Sequence, residues 1–118
     1  MMLNDLSSLK WEKRIILVTN VANKNEILAL FEKNIIKINH RDIVWFIIKN
    51  DHVVTNYSGK LSEDFLNNTC NKYKVGQSKV LLIGKDSAIK SIRDHMDLAA
   101  IFLEIDAMPM RQTEMRNR

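Results

Sequence analysis

Three runs of consecutive apolar residues predict the strands of a central sheet. They lie at residues 15–18, 43–48 and 80–83, and each has the length of a strand buried on both faces. We therefore expect helices to cover both sides of this sheet. One predicted helix separates the first two runs, which indicates a right-handed βαβ unit with parallel strands.

Capping residues predict where two helices begin. Asn23 and Glu26 have the spacing of a capping box, in which each side chain bonds a backbone amide of the first turn. The helix that follows carries apolar residues at helical spacing through Ile35. Residues 53–54 then predict a short edge strand. Ser62, followed by two acidic residues, predicts the start of a second helix, because acidic groups favour the positive end of a helix.

Turn and proline signals predict the last elements. Residues 85–87 form the expected turn of an antiparallel hairpin that leads to a strand at 89–92. Asp97 is the expected cap of a third helix. Met108 precedes the only proline and should end that helix, and Pro109 can begin a short helical extension. The predicted buried stripe of the third helix consists of Leu98, Ile101, Phe102, Ile105 and Met108.

The predicted order of elements, β-α-β-α-β-β-α, resembles the thioredoxin fold, an α/β fold with a central mixed sheet flanked by helices. Short stretches are similar to thioredoxins as well. Residues 73–75, 79–83 and 85–86 match the exit of a helix, the third strand and the turn that follows it. The resemblance implies a thioredoxin-like scaffold.

Two departures concern the redox site of that scaffold. Thioredoxins place a CxxC motif where the first strand meets the first helix, and here the corresponding residues 22–27 include Lys24 and no cysteine. They place a cis-proline just before the third strand, where this chain has Lys79 or its neighbour Ser78. The resemblance therefore implies a scaffold without a dithiol site, with Lys24 and Lys79 as candidate binding residues near its position.

Nearly the whole chain resembles a thioredoxin-like family of domains of unknown function. Residues 9–18 look like the opening of that family, and residues 82–86, 105–111 and 114–116 look like its close, with the motif Ile-Asp-Ala-Met-Pro-Met-Arg followed by Glu-Met-Arg. The family occurs as small bacterial proteins, many of them exported, and as a module in vertebrate extracellular matrix proteins with sushi repeats. The resemblance implies a fold and supplies no catalytic residues.

Length and composition narrow the possible functions. At 118 residues we expect one thioredoxin-like domain over residues 9–118, ending in a short C-terminal helical extension, and an N-terminal arm at residues 1–8. The net charge of +4 is dispersed, and no glycine-rich phosphate loop is present. We therefore expect no nucleic-acid partner.

The single cysteine, Cys70, excludes an internal disulfide and a cysteine-based zinc site. His40, His52 and His95 are far apart in sequence and lack metal-ligand spacing, so we expect neither a metal nor another cofactor. No apolar run has the length of a membrane span, and the first ten residues lack the apolar core of a signal peptide. We expect no membrane insertion, and a cytoplasmic location unless a leader was removed, in which case a periplasmic or extracellular one.

Trp11 and Arg14 precede the first strand and are candidate binding residues. In the simpler interpretation, Trp11 covers one end of the core and Arg14 holds this segment to an acidic group. In the functional alternative, Trp11 lies in a groove and contacts a partner, since large aromatic residues contribute much of the binding energy at interfaces.

The C-terminal segment is the strongest candidate for a contact surface. Met110 and Met115 offer flexible apolar area beside Arg111, a composition suited to an adaptable interface with a protein partner or a second copy of the chain. The alternative is a tail that only folds back on its own domain. We expect both roles, with Met108 packed inside and with Arg111 and Met115 facing outwards.

These observations favour a non-enzymatic thioredoxin-like binding or interaction module without catalytic residues. The alternative is a thiol-linked oxidoreductase, peroxiredoxin-like or glutathione-linked, that uses Cys70. The position of Cys70 separates the two hypotheses. A sulfur exposed beside residues 23–25 or Lys79 would favour the enzyme, and a buried sulfur would favour the module.

Overall fold

The computed structural model describes residues 2–73 and 77–117. Within these ranges the strands are β1 (Met2–Leu3), β2 (Arg14–Thr19), β3 (Ile43–Lys49), β4 (His52–Thr55), β5 (Lys60–Leu61), β6 (Lys79–Ile83) and β7 (Ile89–Arg93). The helices are α1 (Lys24–Lys33), α2 (Ile35–His40), α3 (Phe65–Tyr73), α4 (Leu98–Asp106) and α5 (Pro109–Arg116), and a 3-10 helix spans Leu6–Leu9.

Five strands form one mixed sheet in the order β4-β3-β2-β6-β7. β2 and β3 are parallel, whereas β2–β6, β3–β4 and β6–β7 are antiparallel. The predicted α/β fold, its parallel βαβ unit and its edge strand at residues 53–54 are therefore confirmed. The apolar pattern did not predict the small second sheet, in which β1 pairs in parallel with β5.

Helices cover both faces of the five-stranded sheet, and two cores result. Alternate residues of each strand point to opposite faces. On β2, Ile16 and Val18 join the core beneath α1, α2 and α4, whereas Ile15 and Leu17 join the core beneath α3 and the N-terminal segment. β3 and β6 divide their side chains in the same way, which explains why these strands are apolar throughout.

The start of α1 differs from its prediction. Asn23 is the N-cap residue, but its side chain accepts no hydrogen bond from the first turn. Its amide group instead lies 3.5 Å from a Glu26 carboxylate oxygen. The predicted capping box is therefore wrong, because the two side chains contact each other and not the backbone amides.

The helical pattern that was predicted to continue through Ile35 is interrupted at Asn34. The φ and ψ angles of Asn34 are −111° and 22°, and its side-chain amide donates to the Leu30 carbonyl at 2.8 Å. A side chain that bonds to the backbone in this way competes with helix continuation. Ile35 consequently begins α2 and is 56% exposed, and Ile38 of α2 enters the core.

The second predicted helix starts later than Ser62. α3 begins at Phe65, whose amide donates to the Ser62 carbonyl at 3.2 Å. Residues 74–76, which include part of the thioredoxin-like stretch 73–75, lie outside the described residues.

The hairpin and the helices after it follow their predictions. Ser87 N–H donates to the Gly84 carbonyl in the turn between β6 and β7. The Asp97 carboxylate accepts from the Ala100 amide at 3.1 Å and caps α4. Met108 is extended and Pro109 is the first residue of α5. Of the predicted α4 stripe, Met108 is partly buried and the other members are buried.

The first residues of the chain contribute to a core. Leu3 and Leu6, both within the segment expected as an N-terminal arm, are 2% and 3% exposed. They pack with Phe65 of α3 in the core on that side of the sheet. Among the described residues, no helix has the length and apolar character required to cross a membrane.

Candidate functional site

A cluster of ion pairs lies at the end of the sheet where β2 begins. Arg14, the first residue of β2, is 1% exposed. Its two terminal nitrogens, Nη1 and Nη2, donate to the two carboxylate oxygens of Glu114 on α5, each at 3.1 Å. Nη1 also donates to the Arg41 carbonyl at 3.0 Å. The predicted attachment of Arg14 to an acidic group is thus present, through a paired geometry that is among the stronger ionic contacts.

Lys85, in the turn between β6 and β7, joins this cluster. Its Nζ donates to a Glu114 oxygen at 2.8 Å and to an Asp42 oxygen at 3.0 Å. Burial alone would raise the pKa of Glu114, but the hydrogen bonds and positive charges of Arg14 and Lys85 outweigh it and lower that pKa to about 2. Glu114 is therefore ionised at neutral pH and unsuited to act as a general base there, since such a base needs a pKa near the working pH.

Arg111 of α5 forms the second half of the cluster. Its Nε donates to Asp106 at 3.2 Å, and its Nη1 donates to the His40 carbonyl at 3.0 Å. Its Nη2 lies 2.6 Å from His40 Nδ1. The expectation that Arg111 faces outwards is wrong, because its side chain is 1% exposed. A buried guanidinium requires hydrogen-bond partners, and this packing supplies them.

Arg41 closes the cluster against α4. Its Nε and Nη2 donate to both oxygens of Asp106, at 3.0 and 2.8 Å. The guanidinium carbon also lies 4.4 Å from the centre of the Phe102 ring, a cation–π distance. Burial would raise the pKa of Asp106, but hydrogen bonds from Arg41 and Arg111 and their charges lower it below the ordinary value.

Two further candidate residues, Lys24 and Lys79, lie at the beginnings of secondary-structure elements. Lys24 is the first residue of α1 and is partly exposed. Lys79 begins β6 on the strand beside β2, and its ammonium group is paired with Asp94. By alternation along β6, Lys79 shares the face of Leu81, which α3 and Cys70 cover, whereas Lys24 belongs to α1 on the other face.

Cys70 lies on α3 and packs against the core on the opposite face from α1 and α4. It is partly buried. Burial raises the pKa of its thiol, and the negative charge of Asp51 raises it further. A nucleophilic cysteine needs the opposite environment, with a cation or a helix N-terminus that lowers the pKa.

Trp11 and the two α5 methionines lie on the surface. Trp11 is 60% exposed, so the interpretation in which it covers the core is wrong. Its backbone has a φ of 69°, and its amide donates to the Lys85 carbonyl at 2.6 Å. Met110 and Met115 are 41% and 39% exposed. Arg111 lies between them in sequence but points into the cluster, and Gln112, Thr113 and Arg116 are also exposed, so the surface that α5 offers is part apolar and part polar.

Sequence reasoning did not recognise the partners that make the cluster. Arg41 and Asp42 lie just before the predicted second strand, and His40 has no metal-ligand spacing, so no sequence pattern links them to this cluster. The sequence predicts Lys85 only as part of a turn and a family-like stretch, and Asp106 and Glu114 only as positions in stretches that resemble the family. The one available signal was the density of charged residues within motifs that flank buried elements. In the described part of the chain, no group of three or more His, Cys, Asp or Glu residues could hold a metal ion.

The protein is an α/β domain with a five-stranded mixed sheet flanked by helices and a small two-stranded parallel sheet. The chain belongs to the family described as Domain of unknown function (DUF4174), whose sequence profile matches residues 5–114. A search of curated proteins and a search of solved structures found no significant match. The matched range ends at Glu114, so it includes every member of the ion-pair cluster.

Proposed function

We propose that this protein is a non-enzymatic interaction module, in which a thioredoxin-like scaffold serves binding and not thiol chemistry. The observation that carries the proposal is the position of Cys70. It lies on the opposite face of the sheet from α1, partly buried among apolar neighbours and with a raised thiol pKa. A chain whose one thiol is not activated is poorly suited to redox catalysis.

The contact surface in this proposal is the exposed part of α5. It combines Met110 and Met115 with the polar residues Gln112, Thr113 and Arg116, and methionine side chains adapt to partners of different shape. The ion-pair cluster holds α5 against the sheet, so the surface is presented by a fixed helix. Because the helix is already held in place, it loses less conformational entropy when a partner binds, and this favours affinity.

The resemblance to modules of extracellular matrix proteins supports the same proposal. Modules of vertebrate extracellular matrix proteins with sushi repeats, which this chain resembles, occur in a setting where adhesion and assembly are expected. We include in the proposal that the partner is a protein or a second copy of this chain. The alternative thiol-linked oxidoreductase would act through Cys70.

An assay of disulfide reduction tests the proposal against that alternative. Insulin reduction with dithiothreitol, and peroxide consumption with the same reductant, should proceed at the same rate with the wild-type protein and with Cys70→Ser. Cys70→Ser is the matched control, because it replaces the thiol with a hydroxyl group and leaves the rest of the chain unchanged. Turnover clearly above that of Cys70→Ser would contradict the proposal and support the oxidoreductase.

The contact surface is tested by light scattering over a concentration series. Self-association of the wild-type protein that is weakened by Met115→Asp, with an unchanged melting temperature, would support α5 as a contact between copies. The exposed Glu12→Gln serves as a control, because it lies outside this surface.

A further inference from the structure

The last strand of the five-stranded sheet has an open edge. β7 pairs with β6 at the end of the strand order, and within the described ranges no strand lies along its outer side. Alternate residues of an edge strand point their backbone N–H and C=O groups away from the sheet, where they can pair with another chain. The backbone of β7 is therefore available to extend the sheet by a further strand.

Two exposed isoleucines lie on one face of this edge. Ile89 is 46% exposed and Ile92 is 59% exposed. Residues three apart on a regular strand point to opposite faces, but an irregularity of the β6–β7 register, of the kind a bulge produces, lies between these two. Ile89 is consequently opposite Ile83, and Ile92 is opposite Leu81. Because Ile83 and Leu81 belong to the core beneath α3, the isoleucines continue that apolar face to the open edge.

The other face of the same edge is polar and ion-paired. Ser91 and Arg93 point to this face, since their partners on β6 belong to the core beneath α4. A single oxygen of Glu104 on α4 accepts from the Ser91 hydroxyl at 2.9 Å and from Arg93 Nη2 at 3.1 Å. The edge thus combines an apolar strip on one face with a cation and an anion on the other.

The opposite edge of the sheet lacks this combination. β4 carries Val53 and Val54, which are partly buried and pack against the two cores. In the described part of the chain, the large exposed apolar side chains of the two edge strands are those of β7. Exposed apolar area next to unpaired strand backbone marks β7 as the edge suited to association.

We infer that β7 pairs with β7 of a second copy of this chain, antiparallel and about a two-fold axis at Ile92, so that two five-stranded sheets join. A two-fold contact has to be complementary to itself. In this register the two Ile92 side chains lie opposite each other, and Ile89 of each copy lies diagonal to Ile92 of the other, within the reach of such side chains. The four isoleucines then cover one another.

The charges of the edge favour a second copy in this register. Arg93 of one copy lies opposite Ser91 of the other, whose hydroxyl is bound to Glu104. Two guanidinium groups and two carboxylates therefore alternate around the axis, which is a favourable arrangement across paired strands. A pairing centred on Arg93 would place two guanidinium groups opposite each other, and one centred on Ser91 would place Ile92 against Lys90.

The contact is small, because only the residues after the register irregularity form a regular strand. Small interfaces belong to weak and transient complexes, and we expect a dissociation constant on the order of 10 to 100 µM. The inference rests on the proposed function in naming one partner of the module. It uses neither α5 nor Cys70.

Sedimentation velocity over a concentration series tests the inference on the full chain. The mass of the wild-type protein should rise from 13.7 kDa towards twice that value. Ile92→Lys places two ammonium groups together at the axis and should weaken association about tenfold or more. Leu103→Lys introduces the same charge at a 73% exposed position on α4 and should change it less than about twofold. Circular dichroism melts verify that both variants fold.

Cysteine cross-linking tests the register independently of these variants. Residues that face each other in an antiparallel pair have Cα atoms about 4.5 to 5.5 Å apart, which a disulfide can bridge. In a Cys70→Ser background, Ile92→Cys should therefore form a covalent dimer when diamide is the oxidant. Leu103→Cys in the same background is the matched control and should form one at least about tenfold more slowly.

The outcomes separate this inference from the proposed function. A dimer that is lost in Ile92→Lys, retained in Leu103→Lys and Met115→Asp, and cross-linked through position 92 supports the inference. A monomeric mass up to about 1 mM, equal losses in both lysine variants, or equal cross-linking of both cysteines would overturn it. Association weakened by Met115→Asp and not by Ile92→Lys would also overturn it, and would leave α5 as the contact between copies. Turnover that depends on Cys70 would overturn the proposed function instead.

Discussion

At the scale of single residues, two buried arginines define the character of the site. The side chains of Arg14 and Arg111 are both 1% exposed. A buried charge is tolerated only when it is paired and hydrogen-bonded, and removal of one partner is strongly destabilising. The carboxylates of Glu114 and Asp106 are therefore part of the folding energetics of this protein, beyond any role they have near a ligand.

The variant Glu114→Gln tests this energetic role. We expect it to lower the free energy of unfolding at pH 7 by about 2 to 3 kcal/mol, the order of magnitude that the lowered pKa of this partly shielded group implies. Urea denaturation monitored by circular dichroism measures the change, and the exposed Glu12→Gln should change stability by less than about 0.5 kcal/mol.

The pH dependence of this difference follows from its sign. The pKa of Glu114 is about 2 in the folded protein against an ordinary value of 4.5. Its contribution is thus complete above pH 4.5 and is lost as the pH falls through about 2. We expect the stabilities of the wild-type protein and Glu114→Gln to converge over that window. A difference that is independent of pH would contradict the ion-pair account.

At the scale of elements, local rules predicted most of the secondary structure. The apolar runs became β2, β3 and β6 because both of their faces are buried, and Asp97 caps α4 as its position indicated. These rules failed where a side chain forms a hydrogen bond that the sequence pattern does not predict. Asn34 bonds to the Leu30 carbonyl and divides the expected helix, and the choice between these bonds is not encoded by spacing alone.

The β6–β7 turn provides a prediction at the same scale. Ser87 has a φ of 68°, a conformation that costs a residue with a Cβ about 1 kcal/mol or more. Ser87→Gly should therefore raise the free energy of unfolding by about 0.5 to 1 kcal/mol. Thermal melts compare it with Ala88→Gly, which adds a glycine where φ is negative and should lower stability. A loss of stability in both variants would show that the turn conformation is not strained.

At the scale of the whole molecule, the ion-pair cluster joins segments that are distant in sequence. The bond between Arg14 and Glu114 spans 100 residues, and the one between Arg111 and His40 spans 71. The sequence shows that these residues are charged, but their pairing depends on how β2, α2 and α5 pack together. For this reason the prediction that Arg14 binds an acidic group is confirmed, although the sequence did not identify Glu114 as that group. The outward direction expected for Arg111 is wrong.

Removal of α5 tests the role of this cluster in the fold. A chain that ends at Ala107 lacks both Arg111 and Glu114, and it leaves Arg14 and Lys85 without a carboxylate that they share. We expect a loss of about 3 to 5 kcal/mol in the free energy of unfolding, the usual consequence of an unpaired buried charge. Guanidinium denaturation gives the value. A truncated chain as stable as the full one would show that α5 is an appendage.

If the scaffold serves binding without thiol chemistry, Cys70 must ionise as an unactivated thiol in the native protein. The measurement is the pH dependence of the rate at which a bulky thiol reagent labels the native protein, with the denatured protein as reference. Burial and the charge of Asp51 raise the pKa of this thiol above its ordinary 9.0. We expect slow native labelling, an apparent pKa higher than that of the denatured protein, and fast labelling after denaturation. Rapid native labelling with an apparent pKa well below ~8.5 would contradict it.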